Sequence, residues 1–174
     1  MTAMRGFTLI EIMIGLVVIG ILSFIGLPEF SLMMANTQVR TAAEAITNGL
    51  QTARGEAIQR NGLVTFVMGV GSGYQVIAVR TGEVVRNRSG KEGASTATIT
   101  ITPAGATEVT FDNFGRVTTN PDATAALQKI DVTAGTNAAI AAQARAMRVE
   151  IGTNVRMCDA QVTIAGDPRS CLLP

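Results

Sequence analysis

Between Phe7 and Leu27 the chain carries an apolar run interrupted by a single charge, Glu11. As an α-helix rising about 1.5 Å per residue, the run is roughly 31 Å long, the thickness of one bilayer hydrocarbon core. Ile10, Ile12, Ile14, Val17, Val18, Ile21 and Phe24 occupy every face of that helix, so no polar side is left to meet water. A soluble core helix therefore fits poorly. A cleaved secretory signal is the alternative, with Arg5 as a minimal basic flank, but the run is long for a signal and no A-x-A-like site follows it. An anchor helix accommodates both the length and the composition.

Glu11 lies about one turn into the run, where a carboxylate at membrane depth costs on the order of 2.5–3.5 kcal/mol unless compensated. The helix macrodipole helps an acid near the N-terminus modestly, whereas a full opposite charge on a neighbouring chain would help far more. Solvation at headgroup depth is the other way to keep it charged.

The rest of the chain has room for one domain. It has 174 residues, 47% of them hydrophobic, enough for one real core. The formal charge is +1, from 14 basic and 13 acidic residues, so no whole-chain field points to nucleic acid or to an acidic substrate. With no His, imidazole catalysis and His-based metal sites are excluded. Neither a Ser-x-x-Lys nor a Gly-x-Ser-x-Gly string occurs, no nucleophile is set up, and neither an enzyme nor a cofactor is expected.

Pro28 lacks an N–H and should kink the helix, yet good helix formers continue from Glu29 to Arg60. Val39, Ala42, Ile46, Leu50, Ala53 and Ala57 recur at spacings of three and four, a stripe that faces a core. Asn61-Gly62 supplies the left-handed stop. Beyond it the period changes. Leu63–Met68 and Tyr74–Arg80 read as a hairpin around a glycine-rich turn, 69–73, which opens no helix and lacks the Gly-Lys-Ser/Thr of a phosphate loop. Further strands are predicted at Thr96–Thr102, Glu108–Phe111, Arg116–Thr119, Leu127–Val132, Met147–Ile151 and Val155–Cys158. Ala138–Ala146 admits a helical turn or a strand. The expected fold class is α+β: a long N-terminal transmembrane helix packed on a C-terminal antiparallel β domain.

Gly6-Phe7-Thr8-Leu9-Ile10-Glu11, behind a short basic leader and ahead of one apolar helix, resembles the class III signal of type IV pilins and type II secretion pseudopilins. Further along stand Phe111-Asp112-Asn113-Phe114-Gly115-Arg116-Val117, Arg148-Val149-Glu150-Ile151, Val155-Arg156-Met157-Cys158 and Gly166-Asp167-Pro168-Arg169-Ser170-Cys171. In that order they are similar to the GspH/FimT/FimU group of minor pilins. The resemblance implies a leader at 1–6 cut after Gly6 by a prepilin peptidase, and N-methylation of the new amine on Phe7. It further implies a transmembrane and filament-core helix at 7–27, its amphipathic continuation at 28–61, and a periplasmic β-rich domain at 62–174. Glu11 would pair with a neighbour's N-terminal amine during assembly. Loss of Arg5 with the leader would leave the mature chain formally neutral. The implied partners are other minor and major pilins, the inner membrane crossed once, and the inner-membrane assembly platform. The implied role is a low-abundance subunit that primes or caps a filament; a GspH-like secretion pseudopilin shares every one of these features.

Cys158 and Cys171 enclose twelve residues, and in an exported domain such a pair is expected to bridge. Two unpaired thiols are the alternative, and two thiolates without His fall short of a metal site. Some FimT-type pilins take part in transformation through a C-terminal Gly-Arg-x-Arg motif. The matching place reads Gly152-Thr153-Asn154-Val155-Arg156, which retains one of the two arginines. A denser basic cluster, Arg80, Arg86, Arg88 and Lys91 around Glu83, is the other DNA candidate, and a solvated hairpin tip is its plainer reading.

Overall fold

The computed structural model describes residues 7–135, 137–164 and 166–171, so Gly6 and the leader lie outside the described residues. One helix, α1, runs from Leu9 to Gln59 and passes through Pro28 without ending. Thr8 caps it, with its Oγ accepting the Glu11 N–H at 3.3 Å. The other end closes as a Schellman turn. Asn61 adopts φ 48°, the Gly62 N–H donates to the Ala57 carbonyl, and the Asn61 N–H donates to the Ile58 carbonyl. The predicted stop is therefore placed correctly, with Asn61 taking the left-handed position.

Along α1 the surroundings change abruptly. No described side chain from Leu9 to Met34 is buried. From Ala35 onward the stripe of Val39, Ala42, Ile46, Leu50, Ala53 and Ala57 is fully covered. Two antiparallel sheets cover it. The first contains β1 (Val64–Met68), β2 (Tyr74–Ala78), β3 (Glu83–Arg88), β5 (Glu108–Phe111) and β6 (Val117–Thr118), in the order β3-β2-β1-β5-β6. The second contains β4 (Ala97–Thr102), β7 (Lys129–Ala134), β8 (Met147–Ile151) and β9 (Val155–Asp159), in the order β4-β7-β8-β9. Phe66, Tyr74, Val76, Val109 and Phe111 from the first sheet meet Ile130, Val132 and Val149 from the second in one core around the helix stripe. Alternation is clean where one face is buried, as in β7, so the register follows from the sequence there.

Two expectations change. Of the cluster Arg80–Lys91 only Arg80 sits in a hairpin turn: residues 83–88 form the edge strand β3, paired to β2 with a bulge between Val76 and Ile77. Strand ends also move by one or two residues, β2 ending at Ala78 rather than Arg80. Ala138–Ala146 resolves into a short helix, α2 (Ala138–Gln143), capped by the Asn137 side chain.

Candidate functional site

Glu11 is exposed on the apolar part of α1, and its carboxylate turns back onto its own helix. Its Oε2 accepts hydrogen bonds from the Thr8 N–H and the Thr8 hydroxyl, each at 3.2 Å. With the reciprocal Glu11 N–H to Thr8 Oγ bond, this is a capping box. Among the described residues Glu11 has no cationic partner. Phe7 precedes the cap and is 84% exposed. The signal for this arrangement is present in the sequence as Thr-x-x-Glu at the head of an apolar helix, and Thr8 is the partner of Glu11 that sequence reasoning missed.

At the opposite end of the chain Cys158 and Cys171 are bonded, with their Cα atoms 5.1 Å apart. The bond, the Asp159 N–H to Arg169 carbonyl bond at 2.7 Å and a parallel bridge between Asp159 and Ser170 lay the C-terminal segment along β9. Asp167 and Arg169 form a salt bridge at 2.8 Å within this loop. The Arg169 guanidinium, helped by its backbone N–H, holds the Asp167 carboxyl down to about 2.

The DNA candidates do not converge. Arg156 donates to Glu150 Oε2 and to the Cys171 carbonyl, each at 3.2 Å, so it ties β9 to β8 and to the disulfide. Arg88 is packed against Ser72 and paired with Glu92. Arg80, Arg86 and Lys91 are exposed, with no carboxylate partner among the described residues. The neighbouring charges are taken: Glu83 binds Arg60 at 2.7 Å, and its carboxyl is held below the usual range by that guanidinium.

A groove of about 720 Å³ runs between α1 at Glu29–Arg40 and the end of the second sheet, where Arg145, Met147, Met157 and Arg169 face it. Cys158 also lines it, but Glu150, Cys158 and Cys171, the one trio of metal-type ligands among the described residues, spend their sulfurs in the disulfide.

Residues 42–155 match the family described as type II transport protein GspH, a span of well over half the chain. This chain belongs to the GspH family. Residues 1–27 match the prokaryotic N-terminal methylation motif. Two fimbrial proteins of Pseudomonas aeruginosa are each 45% identical to this GspH-family chain over 58 residues, 33% of this chain and 37% of theirs. The match thus spans little more than a third of those relatives. In fold, the chain is similar to the type IV minor pilin FimU of P. aeruginosa strain PAO1, with a TM-score of 0.50 and 17% identity. That likeness covers 72% of this chain and 95% of the other. The GspH-family chain has the pilin fold, a long N-terminal helix, apolar in its first part, followed by antiparallel sheets.

Proposed function

We propose that this chain is a minor pilin of a type IV pilus that helps to initiate or cap the filament. The observation that carries the reading is α1 itself: from Leu9 to Met34 none of its described side chains is buried, with Leu32 packing partly against the domain, and Glu11 is the single charge of the helix before Glu29. Such a surface is covered by a bilayer before assembly and by other α1 helices after it. On this reading 1–6 is the leader removed by a prepilin peptidase after Gly6, and Phe7 carries the methylated amine. Residues 7–27 cross the inner membrane and later enter the filament core, 28–61 continue the helix, and 62–174 form the periplasmic domain that meets other pilins and the assembly platform. The Glu11 carboxylate then exchanges its Thr8 cap for the amine of a neighbouring subunit.

The test is Glu11→Ala. Membrane insertion should be unchanged, because an apolar helix inserts at least as well without the acid. Incorporation into filaments, read by immunoblot of sheared pili, should fall by about tenfold or more, since a charge left unpaired in the core costs more than the ~1.4 kcal/mol that a factor of ten represents. Normal incorporation would remove the charge-pairing mechanism.

A type II secretion pseudopilin is the second reading, supported by the description of the matched family. Loss of surface pili in a deletion strain favours the first reading, and loss of protein secretion favours the second. A role in DNA uptake has less support, because Arg88 and Arg156 are engaged by their own chain.

A further inference from the structure

The second sheet is aligned along α1, which fixes the height of its two ends above the membrane. At one end the turn between β8 and β9 meets the helix at Arg54, whose Nη1 donates to Asn154 Oδ1 at 3.3 Å. At the other end the Arg145 N–H donates to Asn36 Oδ1 at 2.8 Å. Arg54 is about 40 Å along the helix from Leu27, the end of the apolar run, whereas Asn36 is only about 13 Å from it. The groove reaches lower, to Glu29, about 3 Å beyond Leu27. A headgroup layer is roughly 5–8 Å deep on each side of the hydrocarbon. The lower mouth of the groove therefore opens at headgroup height.

The same end of the domain carries exposed apolar and small side chains beside its charges. α2 is Ala138-Ala139-Ile140-Ala141-Ala142-Gln143 and buries none of its residues. Beside it, the loop after β9 is held to this end by the Ala160 N–H to the Ala146 carbonyl and by Gln161 Nε2 to the Ala144 carbonyl. That loop presents Ile164 at 69% exposure. Charges of both signs ring the groove: the Arg145 and Arg169 side chains are 62% and 67% exposed, and Asp159 and Glu29 lie with them. Guanidinium forks fit a phosphate, and the carboxylates fit an ammonium. Leu32, Met33, Met147 and Met157 offer flexible apolar surface to the glycerol and upper acyl chain. Each of the three arginines that line the groove is paired within the chain, Arg40 with Glu44, Arg145 with Asp159 and Arg169 with Asp167, and Glu29 is the carboxylate left over, so the charge balance does not favour an anion and the complement is a zwitterion that can meet both members of a pair.

We propose that the membrane-proximal end of the domain docks on the bilayer that holds α1, with one zwitterionic phospholipid headgroup of the phosphatidylethanolamine type seated in the groove between α1 and Arg145/Arg169. This docking rests on the membrane anchoring of α1 and requires neither the pilus nor the secretion assignment. It holds the free subunit against the membrane surface until extraction into a filament breaks the contact.

The chain contains no Trp, so a single introduced Trp is an unambiguous depth reporter. Full-length Ile164→Trp is reconstituted into phosphatidylethanolamine–phosphatidylglycerol vesicles, with or without bromine on the acyl chains. Its emission should fall by about twofold in the brominated vesicles, as for a side chain at the headgroup–acyl boundary. Phe114→Trp reports from the far end, where Gly115 packs on Ile58 and Arg54, and should be unaffected. Equal emission from Ile164→Trp in both vesicles overturns the docking. Native mass spectrometry of the full chain released from the same vesicles should then find one retained phosphatidylethanolamine, lost in Arg145→Glu/Arg169→Glu and kept in Arg80→Glu/Arg86→Glu. Retention of phosphatidylglycerol instead, of no lipid, or of phosphatidylethanolamine in the Arg145→Glu/Arg169→Glu variant overturns the groove assignment. Carbonate washing separates the two levels: an Ile164→Trp chain that stays with the vesicles while its indole is unquenched keeps the anchor and loses the docking, and a chain that is released loses both.

Discussion

Glu108 and Asp122 meet at the hydroxyl of Thr124, which lies 2.7 Å from Asp122 Oδ1 and 3.5 Å from Glu108 Oε1. The two carboxyls diverge. Burial, and then Asp122, push Glu108 up, while the Thr124 hydroxyl and N–H hold Asp122 down. A raised carboxyl binds its proton more tightly in the folded chain than in the unfolded one. Its stabilising contribution is complete below the ordinary value of 4.5 and is lost as pH rises through the folded value. Glu108→Gln should therefore raise the melting temperature at pH 7 by about a degree and flatten its fall between pH ~4.5 and ~7. An unchanged pH profile would show that Glu108 is not strained. Asp122 and Asp167 work in the opposite sense, contributing above the ordinary aspartate value and failing only as pH drops below it. The Glu108 shift was not legible in the sequence, because the loop holding Asp122 and Thr124 is brought to β5 by tertiary contacts: Asn120 Nδ2 and the Leu127 N–H both donate to the Glu108 carbonyl.

At the scale of elements, α1 and the first sheet pack closely at Gly49. A Cβ there would lie 2.6 Å from the Tyr74 ring and 2.8 Å from Phe66. On an exposed helix face Gly→Ala gains about 1 kcal/mol of helix propensity; here the clash outweighs it, and Gly49→Ala should destabilise the domain by about 1–3 kcal/mol, measured by urea unfolding. A neutral or stabilising result would mean that the stacked Tyr74–Phe66 pair can slide aside. The helix stripe was readable because helical burial leaves a spacing of three and four. β3 was missed for the converse reason. Glu83-Val84-Val85-Arg86-Asn87-Arg88 is an edge strand with no buried residue, so it carries no alternation, and its charges guard an open edge instead. The edge at β9 is protected differently, by the C-terminal segment bridged to Asp159.

For the whole molecule, the disulfide decides whether residues 160–171 belong to the domain. The loop it closes should contribute about 3 kcal/mol through chain entropy. Cys158→Ser/Cys171→Ser should lower the melting temperature by several degrees and abolish the sensitivity of the wild type to reductant. It should also loosen the Arg145–Arg169 end of the groove, visible as faster amide exchange at Asp159 and Ala160. A melting temperature unchanged by the substitutions would leave the loop held by its hydrogen bonds and the Asp167–Arg169 pair alone.

The sequence by itself determined the long helix, its apolar first half, its buried stripe, its left-handed stop and the position of most strands. Each of these is a local property, set by hydropathy, periodicity and backbone preference along neighbouring residues. It also singled out Glu11 as a charge in need of a partner, and the Cys158–Cys171 pair. Only the tertiary structure decided that the strands divide into two sheets, that Arg88 and Arg156 are occupied, and that Arg145 and Arg169 stand beside Glu29 at the foot of the domain. Those last juxtapositions join residues more than a hundred positions apart, and no local pattern encodes them because they exist only once the second sheet has packed along α1.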